Sequence, residues 1–367
     1  LPAAPAVATA LTPGDGGVIR PLRTSEEEVE VVVDGRLDEA VWRRARVHED
    51  FFVIEPDTLA RPDHATNVRF VYTEQGLYVG VTNEQPRETL VARLSGRDAR
   101  VNRDSVSITI DPTGNGLFGY WFAVNLGGSL TDGTVLPERQ FSNQWDGPWR
   151  GASAVTATGW TAEYFLPWSM MAMPRSGDER RIAFYLSRKV AYLDQRWATP
   201  ALPRTKPRFL SALRPMAIRG VQPSTQLTWY PFSAATLDGT ETDLESKIGT
   251  DVYWRPSSNL QLAGTLNPDF GTVVNDDLVV NLSAFEVFFN ERRPFFLEGQ
   301  EVFSTSPRSA GNYNNGSPVI LVNTRRIGAP PPLPRTDAVE RFSERDRQRL
   351  TDLFGAAKVT GRAGEFR

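Results

Sequence analysis

The sequence contains no cysteine and only two histidines in 367 residues. Without cysteine there is no disulfide framework, no thiolate nucleophile and no zinc–thiolate site. His48 and His64 stand in loop-like stretches without a serine or metal-ligand neighbour, which argues against a catalytic triad or a zinc site. Glycoside hydrolysis requires two facing carboxylates, and nothing in the sequence singles out such a pair. We therefore expect a protein that is not an enzyme.

The sequence also lacks a strong positive charge and a long apolar run. Its net charge of −3 at pH 7 offers no concentrated basic surface, so we expect no nucleic-acid partner. No run approaches the ~18 apolar residues of a transmembrane helix. A part that spans a membrane would therefore consist of strands in a closed barrel. The opening LPAAPAVATALTPGDGG is typical of the tail that follows a cleaved signal peptide, or equally of an arbitrary boundary, and we expect export.

Short segments of alternating apolar and polar residues dominate residues 28–202. Val68, Phe70 and Tyr72, for example, alternate with more polar neighbours, as in strands that are buried on one face. Many such segments with turn signals between them favour an antiparallel β-sandwich over βαβ units. We predict strands at 29–33, 67–73, 76–82, 105–111, 119–125, 153–157, 159–166 and 181–187. Residues 1–27 are predicted to be disordered, and the proline-rich residues 203–224 to be a linker.

A different pattern occupies residues 225–367, the predicted second domain. Segments 225–232, 247–255, 259–266 and 355–367 alternate polar and apolar residues, with aromatic residues near their ends. This pattern indicates the strands of an outer-membrane β-barrel, and another soluble antiparallel sheet is the alternative. Residues 267–318 are predicted as a plug-like or loop segment. About five barrel-like strands are too few to close a membrane barrel, so either the sequence is part of a longer protein or the barrel is completed elsewhere.

Several segments resemble a known family. VDGRLDEAVWRRA (33–45) is similar to the opening strand and turn of family 9 carbohydrate-binding modules, and residues 68–86, 97–133 and 143–171 follow the same order of elements. NPDFGTVVNDDLVVNLSAFEVFFNERRPFFLEG (267–299), NTRRIG (323–328) and GAAKVTGR (355–362) resemble a subgroup in which such a module precedes an uncharacterised bacterial outer-membrane β-barrel.

The resemblance implies an all-β protein with an antiparallel β-sandwich, followed by the first strands of an outer-membrane β-barrel. It implies a carbohydrate or glycan ligand and contact with outer-membrane lipid, with the sandwich periplasmic or surface-exposed. Family 9 modules commonly bind calcium, so the resemblance also implies a structural Ca²⁺ ion, which needs several oxygen ligands.

Sugar binding relies on aromatic faces that stack on the ring, together with polar groups that bind the hydroxyls. The candidate ligand-binding residues are Trp145, Trp149, Trp121, Asn125, Asp132 and Asp146. The alternative is that the tryptophans belong to the core, as we expect for Trp42, Trp160 and Trp168.

Carboxylates and arginines supply two further sets of candidates. Asp98, Asp104 and Asp111 are the candidate calcium ligands, with solvated or capping carboxylates as the alternative. Arg292, Arg293 and Glu298 are predicted to form ion pairs in the barrel lumen, with a substrate-gating role as the alternative.

Three functions are compatible with these patterns. The first is a non-enzymatic outer-membrane protein whose sandwich serves the binding or uptake of a glycan or another envelope component. The second is a sandwich that binds no sugar and acts as a plug or a protein-interaction domain with envelope protein partners. The third is an accessory part of a glycan-processing enzyme.

Overall fold

Strands are the main secondary structure of the computed structural model, as the alternating sequence predicts. It describes residues 17–99, 101–136, 138–143, 145–171, 173, 177–221, 226–238, 243–257, 260–268, 294–297, 322, 324–328 and 351–361. The strands are β1 (Leu22–Arg23), β2 (Val47–His48), β3 (Phe52–Glu55), β4 (Thr66–Tyr72), β5 (Gly76–Glu84), β6 (Ser105–Asp111), β7 (Gly119–Asn125), β8 (Leu130–Leu136), β9 (Gln140–Ser142), β10 (Arg150–Val155), β11 (Gly159–Pro167), β12 (Glu179–Val190), β13 (Gln195–Thr199), β14 (Arg214–Arg219), β15 (Gln226–Asp238), β16 (Asp243–Ser257), β17 (Leu260–Leu266) and β18 (Gly355–Gly361).

The helices are short. They are α1 (Glu26–Val29), α2 (Ala40–Arg44) and α3 (Pro294–Leu297), with single 3₁₀ turns at Arg87–Thr89, Trp168–Met170, Leu210–Ala212 and Thr324–Arg326. Within the ranges given above, no helix has the length and apolar character that crossing a membrane requires.

Two sheets contain the strands of the first domain. The first sheet has the order β1-β4-β5-β11-β10, with β2 also paired to β4. The second has the order β3-β13-β12-β6-β7-β8-β9. β6 pairs with one edge of β12. Along the other edge, β14 pairs with the first half of β12 and β13 pairs with the second half. All these pairings are antiparallel except that of β1 with β4.

The two sheets pack face to face around one core. Val79 and Val81 of β5 lie in this core together with Ile108 of β6. The rings of Phe70 in β4 and Phe184 in β12 meet edge-on, with centroids 5.0 Å apart. This packing of inner faces defines a β-sandwich, so the predicted fold of this domain is confirmed. Trp160 and Trp168 are buried in the same core, as predicted.

Residues 29–45 cover the outer face of the first sheet. The carboxyl group of Glu163 in β11 is fully buried and accepts hydrogen bonds from the backbone N–H groups of Asp34 and Gly35 and from Nε1 of Trp42. Gly35 has a φ of +90°, and a Cβ there would lie 2.6 Å from the backbone of Ser153, so only glycine fits. Asp34 and Gly35 of the VDGRLDEAVWRRA motif thus bind this segment to β11.

Two predicted boundaries of the sandwich are wrong. Residues 17–27, predicted to be disordered, include β1 and the start of α1, and Ile19 is buried in the core. The predicted linker 203–224 contains β14, and Leu210 and Leu213 are buried against the outer face of the second sheet. The predicted strand at 29–33 is also absent, because α1 ends at Val29 and the next four residues are irregular.

The second half forms a separate four-stranded antiparallel sheet in the order β15-β16-β17-β18. These strands lie where the sequence predicts strands. Cross-strand partners share a face, so one face presents a set of large apolar side chains that are 44–77% exposed: Leu227, Trp229, Ile248, Trp254, Leu266 and Val359. On the opposite face, Phe295 and Phe296 of α3 pack against Ala263.

Candidate functional site

The most elaborate polar site of the sandwich surrounds Asp132 in β8. This carboxylate is fully buried and accepts bonds from Nη2 of Arg97 at 2.6 Å, the backbone N–H of Gly147 at 2.8 Å and Nε1 of Trp149 at 3.0 Å. Arg97 lies in a loop, and Gly147 and Trp149 precede β10. One buried carboxylate therefore holds together segments that are far apart in the sequence.

Two more carboxylates complete this site. Asp98 accepts the backbone N–H of Asp132 at 3.2 Å, and Asp146 accepts Nε of Arg97 at 2.6 Å. Oxygen atoms of Asp98, Asp132 and Asp146 all lie within 4.8 Å of one another. We call Arg97, Asp98, Asp132 and Asp146 the Arg97 cluster.

The electrostatics of the Arg97 cluster follow from three carboxylates around one guanidinium. Burial raises the pKa of Asp132, against the opposing effects of the Gly147 N–H, Arg97 and Trp149. Burial also raises the pKa of Asp98. Burial acts to lower the pKa of Arg97, but the charges of Asp132 and Asp146 outweigh it and raise this pKa. Arg97 already supplies the positive charge that a cation would bring, so a metal ion would compete with its guanidinium.

Trp145 places an aromatic ring beside this cluster. Its ring centroid lies 4.9 Å from that of Tyr120 and 6.1 Å from that of Phe122, and the side chain is partly buried against the core. A Cβ on Gly147 would come within 2.4 Å of the Trp145 ring, so the glycine allows the ring to lie across the loop. The ring is therefore held against Gly147, whose backbone N–H binds Asp132.

The other predicted sugar ligands have structural roles. Trp149 is only 6% exposed and stacks on Tyr164 with an interplanar angle of 13°, so it is a core residue. Trp121 lies on the other face of the second sheet, where its ring meets Phe141 at 6.0 Å. The amide nitrogen of Asn125 donates to the carbonyl of Ser129 and closes the turn between β7 and β8. Of the predicted residues, the structure brings together Trp145, Asp132 and Asp146.

The predicted calcium ligands do not form one site. Asp104 and Asp111 flank opposite ends of β6, which at this length separates them by ~23 Å. Asp104 accepts bonds from Gln85 and from the backbone of Val91 and Ala191. Asp111 accepts the N–H groups of Thr113, Gly114 and Gly116 and so organises the loop that follows β6. Of the three predicted ligands, only Asp98 lies close to other carboxylates, those of Asp132 and Asp146.

The predicted lumen residues cannot be placed, and one residue of the Arg97 cluster was not predicted. Arg292, Arg293 and Glu298 lie outside the described residues, as does most of the predicted plug segment 267–318. Arg97 is absent from the sequence prediction, because it stands 35 positions from Asp132 and 49 from Asp146 with no repeat or motif that links them.

Comparisons with known proteins give one family model and several solved structures. A family model described as a domain of unknown function (DUF5916) matches residues 223–365. A family 9 carbohydrate-binding module from Caldicellulosiruptor kristjanssonii in complex with cellotriose is 12% identical, with a TM-score of 0.40, over 55% of this chain and 94% of that chain. A second structure of such a module from this organism, in complex with glucose, is 12% identical with a TM-score of 0.39, over 54% of this chain and 96% of that chain.

A candidate carbohydrate-binding protein from Bacteroides uniformis is 14% identical, with a TM-score of 0.42, over 55% of this chain and 98% of that chain. No curated protein matches the chain.

Proposed function

We propose that the chain is a non-enzymatic outer-membrane protein whose sandwich binds a carbohydrate at Trp145 and the Arg97 cluster. The observation that carries this proposal is the Trp145 ring packed on Gly147, whose backbone N–H binds Asp132 of the Arg97 cluster at 2.8 Å. An aromatic ring can stack on the C–H face of a sugar, and the carboxylate and guanidinium can bind neighbouring hydroxyls.

The charge of the site favours a particular class of sugar. The cluster holds three carboxylates against one guanidinium, so its surroundings repel anions. Asp146 is the most exposed of the three, with 65% of its side chain accessible, and is the natural partner for a ligand hydroxyl. We therefore expect neutral sugars to bind more tightly than uronic acids or sulfated glycans.

A calorimetric titration with a panel of sugars tests this proposal. Glucose and cellotriose are suitable first probes, beside glucuronic acid, each with and without Ca²⁺. We expect Trp145→Ala to weaken sugar binding by about tenfold or more, because the stacking face is lost. Phe141→Ala is the control, since this exposed aromatic residue lies on the other face of the second sheet. Absence of binding by any sugar, or equal losses in both variants, would contradict the proposal.

We also propose that residues 225–367 contribute the first strands of a membrane β-barrel. Support comes from the four-stranded sheet, whose two faces differ in chemistry. One exposes large apolar groups such as Trp229 and Ile248, which suits contact with lipid tails. The other receives Phe295 of α3, and the Lys358 ammonium donates to the Phe295 carbonyl, which suits a barrel interior.

Association with lipid vesicles tests the barrel proposal on the full chain. Ile248→Glu and Val359→Glu place a charge on the apolar face, and we expect a lower fraction of protein to float with phosphatidylcholine vesicles. The reason is the cost of a charge in the hydrocarbon, about 2–4 kcal/mol for a basic residue at the midplane and less for an acidic one. Thr360→Glu, next to Val359 but on the opposite face, is the matched control. Equal flotation of all three variants would overturn the proposal.

A further inference from the structure

Asn83 places an amide in the interior of the sandwich. It follows Leu77, Val79 and Val81 on the inward face of β5 and is fully buried. Neither its amide nitrogen nor its carbonyl oxygen has a hydrogen-bond partner among the described residues. An amide with both polar atoms unsatisfied in a core is rare in native proteins and calls for a physical cause.

Two further unsatisfied donors belong to Trp160, which pairs with Asn83, and to Arg188, which binds a second pairing partner of Asn83. Trp160 is its direct cross-strand partner in β11, fully buried, and its Nε1 also lacks a partner within the described ranges. Thr66 is its partner in β4 and accepts Nη1 of Arg188 from the second sheet at 2.9 Å. Nε of Arg188 is likewise buried without a partner in the described part of the chain. The unsatisfied atoms thus belong to residues around one end of the sandwich interior.

The kinds of atoms determine what can satisfy them. Asn83 Nδ2, Trp160 Nε1 and Arg188 Nε are donors, whereas Asn83 Oδ1 is an acceptor. An anion would leave the acceptor unsatisfied, and a cation would face three donors. A water molecule both accepts and donates, and buried waters typically make about three such bonds.

We propose that at least one long-lived water molecule is bound between the two sheets by Asn83, Trp160 and Arg188. This water completes the polar contact that Arg188 makes across the sandwich. The site is separate from the Arg97 cluster and does not depend on sugar binding. Leaving these groups dry would cost the desolvation free energy of each.

Nuclear magnetic resonance can detect this water directly in the intact chain. We expect the indole N–H of Trp160 to show a cross-peak to the water resonance with the sign of a slowly exchanging molecule. The Trp160 signal is assigned among those of the nine tryptophans by its loss in Trp160→Phe, or by cross-peaks between the indole proton and the side-chain amide protons of Asn83. Absence of the cross-peak in the wild-type protein overturns the proposal, whatever the variants do.

The sign of a stability change gives an independent test. Asn83→Leu conserves the side-chain shape but removes two of the groups that hold the water. We expect the melting temperature to fall by a few degrees and the water cross-peak to disappear. If the interior is dry, the same substitution removes two unsatisfied polar atoms and raises the melting temperature, which contradicts the proposal. Asn102→Leu, at an exposed position outside the core, is the control and should leave the cross-peak unchanged.

Discussion

Substitution of Arg188 by methionine is expected to lower the free energy of unfolding by about 3–5 kcal/mol, because four acceptors lose a charged donor. The guanidinium is fully buried and joins the two sheets, so methionine fills much of its volume without replacing its bonds. The Arg188 guanidinium donates hydrogen bonds to the carbonyls of Ala65 and Glu84 and to the side chains of Thr66 and Gln85. Burial lowers the pKa of Arg188 to about 10, so the group stays charged at neutral pH.

Urea denaturation followed by tryptophan fluorescence measures this loss. Arg181→Met is the matched control, because Arg181 lies on the same strand with an exposed side chain. We expect the control to change stability by less than about 0.5 kcal/mol. Similar midpoints for the two variants would show that the four bonds across the sandwich contribute little.

Removal of the Glu163 carboxyl group is the second substitution with a large expected effect. Glu163→Ala leaves the N–H groups of Asp34, Gly35 and Trp42 Nε1 without their acceptor. An unsatisfied buried donor costs about 1–3 kcal/mol, so we expect a total loss of about 3 kcal/mol or more. Proteolysis should then cut residues 29–45 faster than the rest of the sandwich, since these bonds hold the segment on β11.

The same residue predicts how stability depends on pH. Burial raises the pKa of Glu163 to about 8, above its ordinary value of 4.5. Between these values the folded protein keeps a proton that the unfolded chain has released. The free energy of unfolding therefore falls as the pH rises from about 4.5 to about 8, by at most about 1.4 kcal/mol per pH unit from this group.

A series of urea denaturations across this pH range checks the sign. Glu163→Gln cannot titrate and should show a flatter dependence than the wild-type protein. Glu74→Gln, at a side chain that is 77% exposed, should leave the wild-type slope unchanged. If the free energy of unfolding of the wild-type protein depends on pH in the same way as that of Glu163→Gln, the pKa of Glu163 is not raised.

The strands of the core could be predicted because their periodicity is local. β4, β5, β6 and β7 alternate apolar and polar residues within their own sequence, and each lies close to its predicted position. β8 (LTDGTVL) does not, because Asp132 and Gly133 at its centre are residue types that are depleted in strands. Its strand conformation comes from pairing with β7, which a local pattern does not contain.

The site could be predicted only in part for a similar reason. Trp145 and Asp146 stand out as an aromatic and acidic pair in a loop, but Trp149 looks equivalent to Trp145 in the sequence. The difference is tertiary, because the buried Asp132 accepts the Trp149 indole and holds that ring in the core. Arg97 carries no local signal at all, since its two carboxylate partners come from other segments of the chain.

The pairing of β14 with β12 determines which fragment of the chain contains the complete sandwich. The backbone of Ile19 bonds to that of Pro215 and Ala217, and Val221 is buried in the core. A fragment cut after residue 202 would leave the first half of β12 with an open, hydrogen-bonding edge, a common starting point for aggregation. A recombinant fragment of residues 17–221 retains both ends of the sandwich. It is the better starting material for crystallisation and for sugar titrations without the second half.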